Sequence, residues 1–247
     1  MEHLSKNQVK WVRSLQQKKQ RDAEGVFVAE GHKCVEELRN AFELVLLVTP
    51  DIATEVEIAQ MSNLRTPQGV IGVFRKPISN TQYSISDNQY PIPNTLSIVL
   101  DGVQDPGNLG TIIRLADWFG VEDIFCSEDT ADCFNPKVVQ ATMGAILRVR
   151  VHYLKLADFL KRTAERGVAV YGTMLDGDNI YDAELQQNGV IVMGNEGKGV
   201  SEECARSFTH KLLIPTYPAE RQGSESLNVA MATGIVCAEF RRRTRGL

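Results

Sequence analysis

No apolar run in these 247 residues approaches the length of a membrane span. The N-terminal stretch MEHLSKNQVKWVRS also lacks the apolar core of a signal peptide, so a cytoplasmic, unexported protein is expected. No C-x-x-C pair is present. The five cysteines (Cys34, Cys126, Cys133, Cys204 and Cys237) are odd in number and unpatterned, which reads as free thiols in a reducing compartment. The four histidines do not cluster with them, so zinc is disfavoured and no metal is expected. Nucleotide fingerprints are missing as well. Where a Rossmann site needs G-x-G-x-x-G after a strand, the chain reads D-P-G-N-L-G-T. The nearest approach to a P-loop, 194-GNEGKGV-200, has the wrong glycine spacing and Gly199 where Ser or Thr belongs. Internal repeats and extended low-complexity tracts are also absent.

What is present is an ordinary globular composition. Hydrophobic residues make up 43% and charged residues 23%, enough for a sizeable core. The net charge of −4 rules out a chain that binds nucleic acid by wholesale positive charge. Local charge differs. Lys6, Lys10, Arg13, Lys18, Lys19 and Arg21 crowd the first helical stretch, and Arg241, Arg242, Arg243 and Arg245 end the chain. Such clusters are solvated faces and solubilising tails in the plain reading, and phosphate-binding patches in the functional one.

Periodicity divides the chain into two α/β blocks. The first covers residues 1–76: a basic helix over 5–20, a strand at 26–31, a helix at 32–40, a buried strand at 44–48, a helix at 52–62 and a strand at 69–76. Residues 77–95, PISNTQYSISDNQYPIPNT, are polar and Pro-containing and read as a linker. The second block, 96–247, places strands at 96–100, 123–126, 148–152, 168–173, 190–194 and 211–214. Helices are expected at 109–119, 135–143, 156–166, 201–207 and 227–243. Strands alternating with helices predict a mostly parallel sheet covered on both faces.

Ligands bind such sheets at the carboxyl ends of the strands. Three loops there are richer than a plain turn requires: 101-DGVQDPGNLG-110, 194-GNEGKGVSEE-203 and 215-PTYPAERQGSESLN-228. Asn108 reads as the N-cap of helix 109–119. That helix carries one apolar stripe (Leu109, Ile112, Ile113, Ala116, Phe119) and a second apolar side, Leu115 and Trp118, beside Arg114. Two apolar sides predict burial against the sheet and against a second domain or subunit. Arg114 is either a structural ion-pair partner or a fork for phosphate. Glu196 stands between glycines that permit close approach by a ligand, or that simply make a turn. In the last helix Ala230, Ala232, Thr233, Gly234 and Ala238 are small, which marks a close-packing side.

Taken in order, the three loops resemble the motifs of the SpoU/TrmH branch of the SPOUT RNA methyltransferases: 99-VLDGVQDPGNLGTIIRLADWFG-120, 190-VIVMGNEGKGVS-201 and 212-LLIPTYPAERQGSESLNVAMATGI-235. The stretch 26-VFVAEGHKCVEELRN-40 is similar to the small substrate-binding domain common in that branch. The resemblance implies an α/β domain whose C-terminal segment forms a trefoil knot, preceded by a small N-terminal α/β substrate-binding domain. It implies S-adenosylmethionine as cofactor, methylation of a ribose 2′-hydroxyl in ribosomal or transfer RNA, and a homodimer joined through the first-motif helix and the last helix; the N-terminal domain and the basic first helix favour ribosomal RNA. Carried over by motif, Asn108, Arg114, Glu196, Ser226 and Asn228 form the catalytic and substrate-positioning set. Gly194, Ile214, Leu227 and, less directly, Thr173 contact the cofactor, and Arg114 acts near the partner's cofactor. One departure is the segment 215–225, with Tyr217, Glu220 and Arg221, which is longer than usual in the family. A non-catalytic RNA-binding or ribosome-assembly factor of the same fold is the alternative, and a Rossmann-type nucleotide enzyme is a third, weaker for want of the glycine fingerprint.

Overall fold

The structure, a computed structural model, describes residues 3–77, 93, 95–218 and 226–244. Most of the expected linker, and the end of the long 215–225 loop, lie outside the described residues. The chain forms two compact units. One comprises residues 1–79 with 132–147, and the other 80–131 with 148–247.

In the first unit α1 (Lys6–Ser14) opens on a capping box. The Ser5 hydroxyl accepts from the Gln8 amide, and the Gln8 side chain accepts from the Ser5 amide. The expected single helix 5–20 is in fact two, because α1 stops and α2 (Lys18–Glu24) starts afresh. The break is held by Arg21, whose guanidinium reaches back to the carbonyls of Leu15 at 2.9 Å and Gln16 at 2.8 Å. Then follow β1 (Val26–Glu30), α3 (His32–Arg39), β2 (Leu44–Val48), α4 (Glu55–Met61, capped by Thr54) and β3 (Ile71–Arg75). These strands make an antiparallel sheet in the order β1-β3-β2.

Alternate residues of β1 enter two different cores. Val26 and Val28 join Val9, Val12, Leu15, Ile58 and Met61 on one face. Phe27 and Ala29 join Val35, Leu38, Phe74, Val139 and Ile146 on the other. The second face is completed by α6 (Pro136–Thr142) and a 3-10 turn at Ala145–Leu147. Sequence order places that helix in the 96–247 block, yet it packs on β1. The reason is apolar complementarity: the Phe134 ring lies 4.9 Å from Phe27, and β1 needs cover on both faces.

The second unit contains β4 (Leu96–Asp101), α5 (Pro106–Trp118), β5 (Asp123–Cys126), β6 (Arg150–Tyr153), α7 (Leu156–Glu165), β7 (Val170–Asn179), β8 (Gly189–Gly194), α8 (Glu202–Ala205), β9 (His210–Leu213) and α9 (Val229–Thr244). Its six strands run in the order β6-β5-β4-β8-β7-β9, and every pairing is parallel. The central strands β4 and β8 are buried up to their half-buried last residues, Asp101 and Gly194, as their apolar runs predict. β7 continues beyond the expected end at 173 and pairs again with β9 at Asp178 and Asn179. The chain builds outward from β4 through β5 to β6, then returns to the other side. The topological switch point therefore lies between β4 and β8, where a ligand crevice is expected.

Candidate active site

At that switch point the loop after β4 and the loop after β8 are locked together. The carboxylate of Asp101 accepts from the Ser201 amide at 2.7 Å, and the Asn195 side chain donates to the Gly102 carbonyl at 2.7 Å. Asn195 also closes its own loop. Its side-chain oxygen accepts from the amides of Gly197 and Lys198, while its backbone pairs with Gly199 in a tight antiparallel bridge. A Cβ on Gly194 would fall 2.3 Å from the Gly199 backbone, so only glycine allows the loop to fold back this closely. Glu196 rides at the tip of this braced loop. Asp101 and Asn195 escaped the sequence reading as functional positions; the available signal was an Asn directly beside Glu196 in G-N-E-G.

α5 starts earlier than expected. Asp105, not Asn108, is its N-cap, with Pro106 in the first turn, and the Asp105 carboxylate accepts from the Asn108 amide at 2.8 Å. The side chain of Asn108 is thereby released from capping. It donates to Glu196 Oε1 at 2.7 Å and accepts from the Asn228 side chain at 2.9 Å. Asn228 in turn caps α9, accepting from the amides of Ala230 and Met231. The order is directional. A carboxylate can only accept, which fixes the Asn108 amide; its oxygen fixes Asn228, whose own oxygen faces the helix amides. Three residues, from the first turn of α5, the loop after β8 and the position just before α9, thus form one oriented polar chain, Asn228–Asn108–Glu196, on the crevice.

The other expected site residues divide. Ser226 and Leu227 immediately precede this chain and are exposed, Leu227 by 51%. Ile214 follows β9 and is half-buried. The Thr173 hydroxyl is spent on the Val192 carbonyl at 2.9 Å, tying β7 to β8. Arg114 is exposed and makes no ion pair or hydrogen bond with the described residues. Six residues separate it from Asn108, which puts it about 120° around the helix and about 9 Å along it. Within one chain it is not brought to the polar relay.

The two-sided helix is also resolved. Leu109, Ile112, Ile113 and Ala116 are fully buried, whereas Phe119 is only half-buried. Leu115 is covered by α9 of the same chain, its methyls 3.5 and 3.6 Å from where a Cβ on Gly234 would stand. Trp118 remains 82% exposed, and so does Met231 on α9, by 64%.

Comparison with known proteins places this geometry. The family model described as SpoU rRNA Methylase matches residues 95–238. The chain belongs to the SpoU rRNA methylase family. A second model, the MRM3-like substrate binding domain, matches residues 6–57. Among curated SpoU-type relatives, the 23S rRNA (guanosine(2553)-2′-O)-methyltransferase RlmP of Bacillus subtilis is 29% identical over 255 residues, covering 96% of this chain and 97% of that protein. A TrmH-family protein from Porphyromonas gingivalis superposes with a TM-score of 0.84 at 38% identity, over 97% of this chain and 99% of that one. An AdoMet-bound rRNA methyltransferase from Sinorhizobium meliloti gives 0.83 at 32% identity, over 98% and 97%.

Proposed function

We propose that this SpoU-family chain methylates a ribose 2′-hydroxyl of RNA, ribosomal before transfer RNA, using S-adenosylmethionine. The observation that carries the reading is the Asn228–Asn108–Glu196 chain at the switch point of a parallel sheet. Ile214 and Leu227 offer aliphatic surface, and the amides of Ser226 and Leu227 find no backbone acceptor among the described residues. Backbone donors beside aliphatic side chains suit an adenosyl group. Gly194, Ile214 and Leu227 would hold it, while Thr173 serves mainly to tie two strands. When bound, S-adenosylmethionine supplies a methyl group activated by its sulfonium charge.

The protein's own part is positioning and electrostatics. Asn108 and Asn228, with Ser226 next to them, orient the ribose, and Glu196 keeps both amides in one direction. Arg114 cannot serve as a base, because a guanidinium keeps its proton. It instead holds the phosphate beside the target ribose. An oxygen of that phosphate would take the hydroxyl proton, which would leave the ribose oxygen as the nucleophile for the cofactor's methyl group. Since Arg114 points away from its own relay, we assign it to the site of a second copy of the chain. The exposed Trp118 and Met231, on the packed pair α5 and α9, supply an apolar surface for that dimer. The reading extends to the family's trefoil knot. At the paired strands β7 and β9 the chain packs closely, since a Cβ on Gly177 would lie 2.7 Å from the Leu212 backbone.

Calorimetric titration with S-adenosylmethionine and S-adenosylhomocysteine is the test, followed by transfer of a labelled methyl group to ribosomal RNA. Micromolar binding of both and a 2′-O-methylated nucleoside in the digest are expected. Binding of RNA without binding of either adenosyl compound would favour the non-catalytic RNA-binding factor instead. The intact relay argues against that alternative.

A further inference from the structure

The two basic clusters of the sequence are not equivalent once folded. At the C-terminus the fork of Arg241 holds the carbonyls of Phe119 at 2.7 Å and Gly120 at 3.0 Å, at the end of α5. Arg242 and Arg243 clamp the buried Glu239 at 2.8 and 2.7 Å. These three arginines are structural. In the N-terminal cluster Arg21 is 1% exposed and paired with Asp132 at 2.6 Å, and Lys18 pairs with Asp22 at 3.0 Å. What remains is Lys6, Lys10 and Arg13, all exposed and all without an ion pair or hydrogen bond to the described residues. Lys19 is exposed too, but it belongs to α2 and nothing ties it to the same face.

Lys6, Lys10 and Arg13 are spaced i, i+4, i+7. On α1 they share an arc of about 60° and span about 10 Å of rise. The other side of the helix buries Val9 and Val12. Helix stability does not explain the pattern. Lys6 lies in the first turn, where the helix dipole disfavours a cation, and α1 has no acidic residue there to offset it. Lys6 and Lys10 repel each other at i, i+4. Arg13 alone sits where the dipole welcomes it. The neighbouring Glu57 of α4 is occupied with capping Thr54 and with His3, so it does not neutralise the face. A chain of net charge −4 therefore presents on one helix face three cations that no described residue neutralises. No exposed large apolar residue of α1 accompanies them, which disfavours insertion into a membrane surface.

We infer that the outer face of α1, formed by Lys6, Lys10 and Arg13, contacts the phosphate backbone of the substrate RNA. The inference rests on the RNA methyltransferase reading above. It assigns the contact to one face of the first unit, remote in sequence from the catalytic loops.

The test is filter binding of a 23S ribosomal RNA transcript to the full chain across a salt series. The triple variant Lys6→Gln, Lys10→Gln, Arg13→Gln should bind about ten-fold more weakly at moderate salt. Its plot of log affinity against log salt should be shallower by about two to three, near one per lost phosphate contact. The charge-conserving variant Lys6→Arg, Lys10→Arg, Arg13→Lys should bind as the wild type does. A control triple on the surface around α7, Lys155→Gln, Lys161→Gln and Arg166→Gln, should leave the slope unchanged. S-adenosylhomocysteine binding and the thermal unfolding curve should both survive in all of them, which together show that each variant is folded in both units. An unchanged slope in the first variant, or an equal loss in the control, overturns the inference and leaves the enzymatic reading standing. A wild-type chain that binds S-adenosylhomocysteine but no RNA overturns both.

Discussion

Asn108 is available to the site only because Asp105 caps α5 in its place. The sequence supports either residue as cap, and the choice decides whether the amide of Asn108 faces its own helix or its neighbours. Arg114, which we propose holds the target phosphate, is the opposite case, a side chain with no ion pair or hydrogen bond among the described residues. Replacing it with Ala should lower methyl transfer at least a hundred-fold, about the loss seen when one preorganised donor is removed from an active site. Adenosyl binding and the melting temperature should stay as they are. A melting temperature several degrees lower would make Arg114 a structural residue. Asp123 carries the clearest pH signature. Burial pushes its carboxyl up, but hydrogen bonds from His152 and Arg150 outweigh this and hold it down to about 2. A depressed carboxyl contributes stability in full above the ordinary carboxylate range, about 4. That contribution is lost as pH falls through about 2. Urea unfolding between these limits should show a steeper acid loss in the wild type than in Asp123→Asn, and parallel curves would remove the pair from the account.

Among the elements, α9 does two jobs. Its first residues receive Asn228, and its small middle residues let Leu115 of α5 pack close. Gly234 itself is not forced, since an added Cβ would meet Leu115 at ordinary contact distance. Gly234→Ala should therefore stabilise the chain by about 0.5–1 kcal/mol through helix propensity. Denaturant unfolding would show this, and destabilisation would mean that another surface presses on that position. Most elements were legible from periodicity, because amphipathic helices and buried parallel strands write their packing into local sequence. The misplacements share one cause. The break in the basic helix depends on Arg21 reaching carbonyls five and six residues back and Asp132 far along the chain. The destination of α6 depends on Phe134 meeting Phe27. No window of the sequence contains such contacts. At the site, the three loops could be found from their composition, but the direction of the Asn228–Asn108–Glu196 chain and the brace through Asn195 and Asp101 are tertiary facts.

For the whole molecule, the apolar surface on α5 and α9 predicts a dimer. Light scattering should give twice 27.5 kDa. Trp118→Glu should yield a folded monomer with intact thermal unfolding but little methyl transfer. Full activity in a proven monomer would end the shared-site proposal. The cysteines form no disulfide among the described residues, and burial pushes Cys34 and Cys204 up to about 11 and Cys237 up to about 12, which leaves these three thiols unreactive at neutral pH. The membership of residues 132–147 in the first unit has a further consequence, in the order of synthesis. Val139 and Ile146 belong to the core that covers Phe27 and Phe74. While the chain emerges from the ribosome, the N-terminal unit cannot close that core until residue 147 has been made. At translation rates of about 5–20 residues per second the wait beyond residue 79 lasts several seconds. During that time β4, α5 and β5 of the second unit are made, so the unit that starts the chain is completed only after the other has begun.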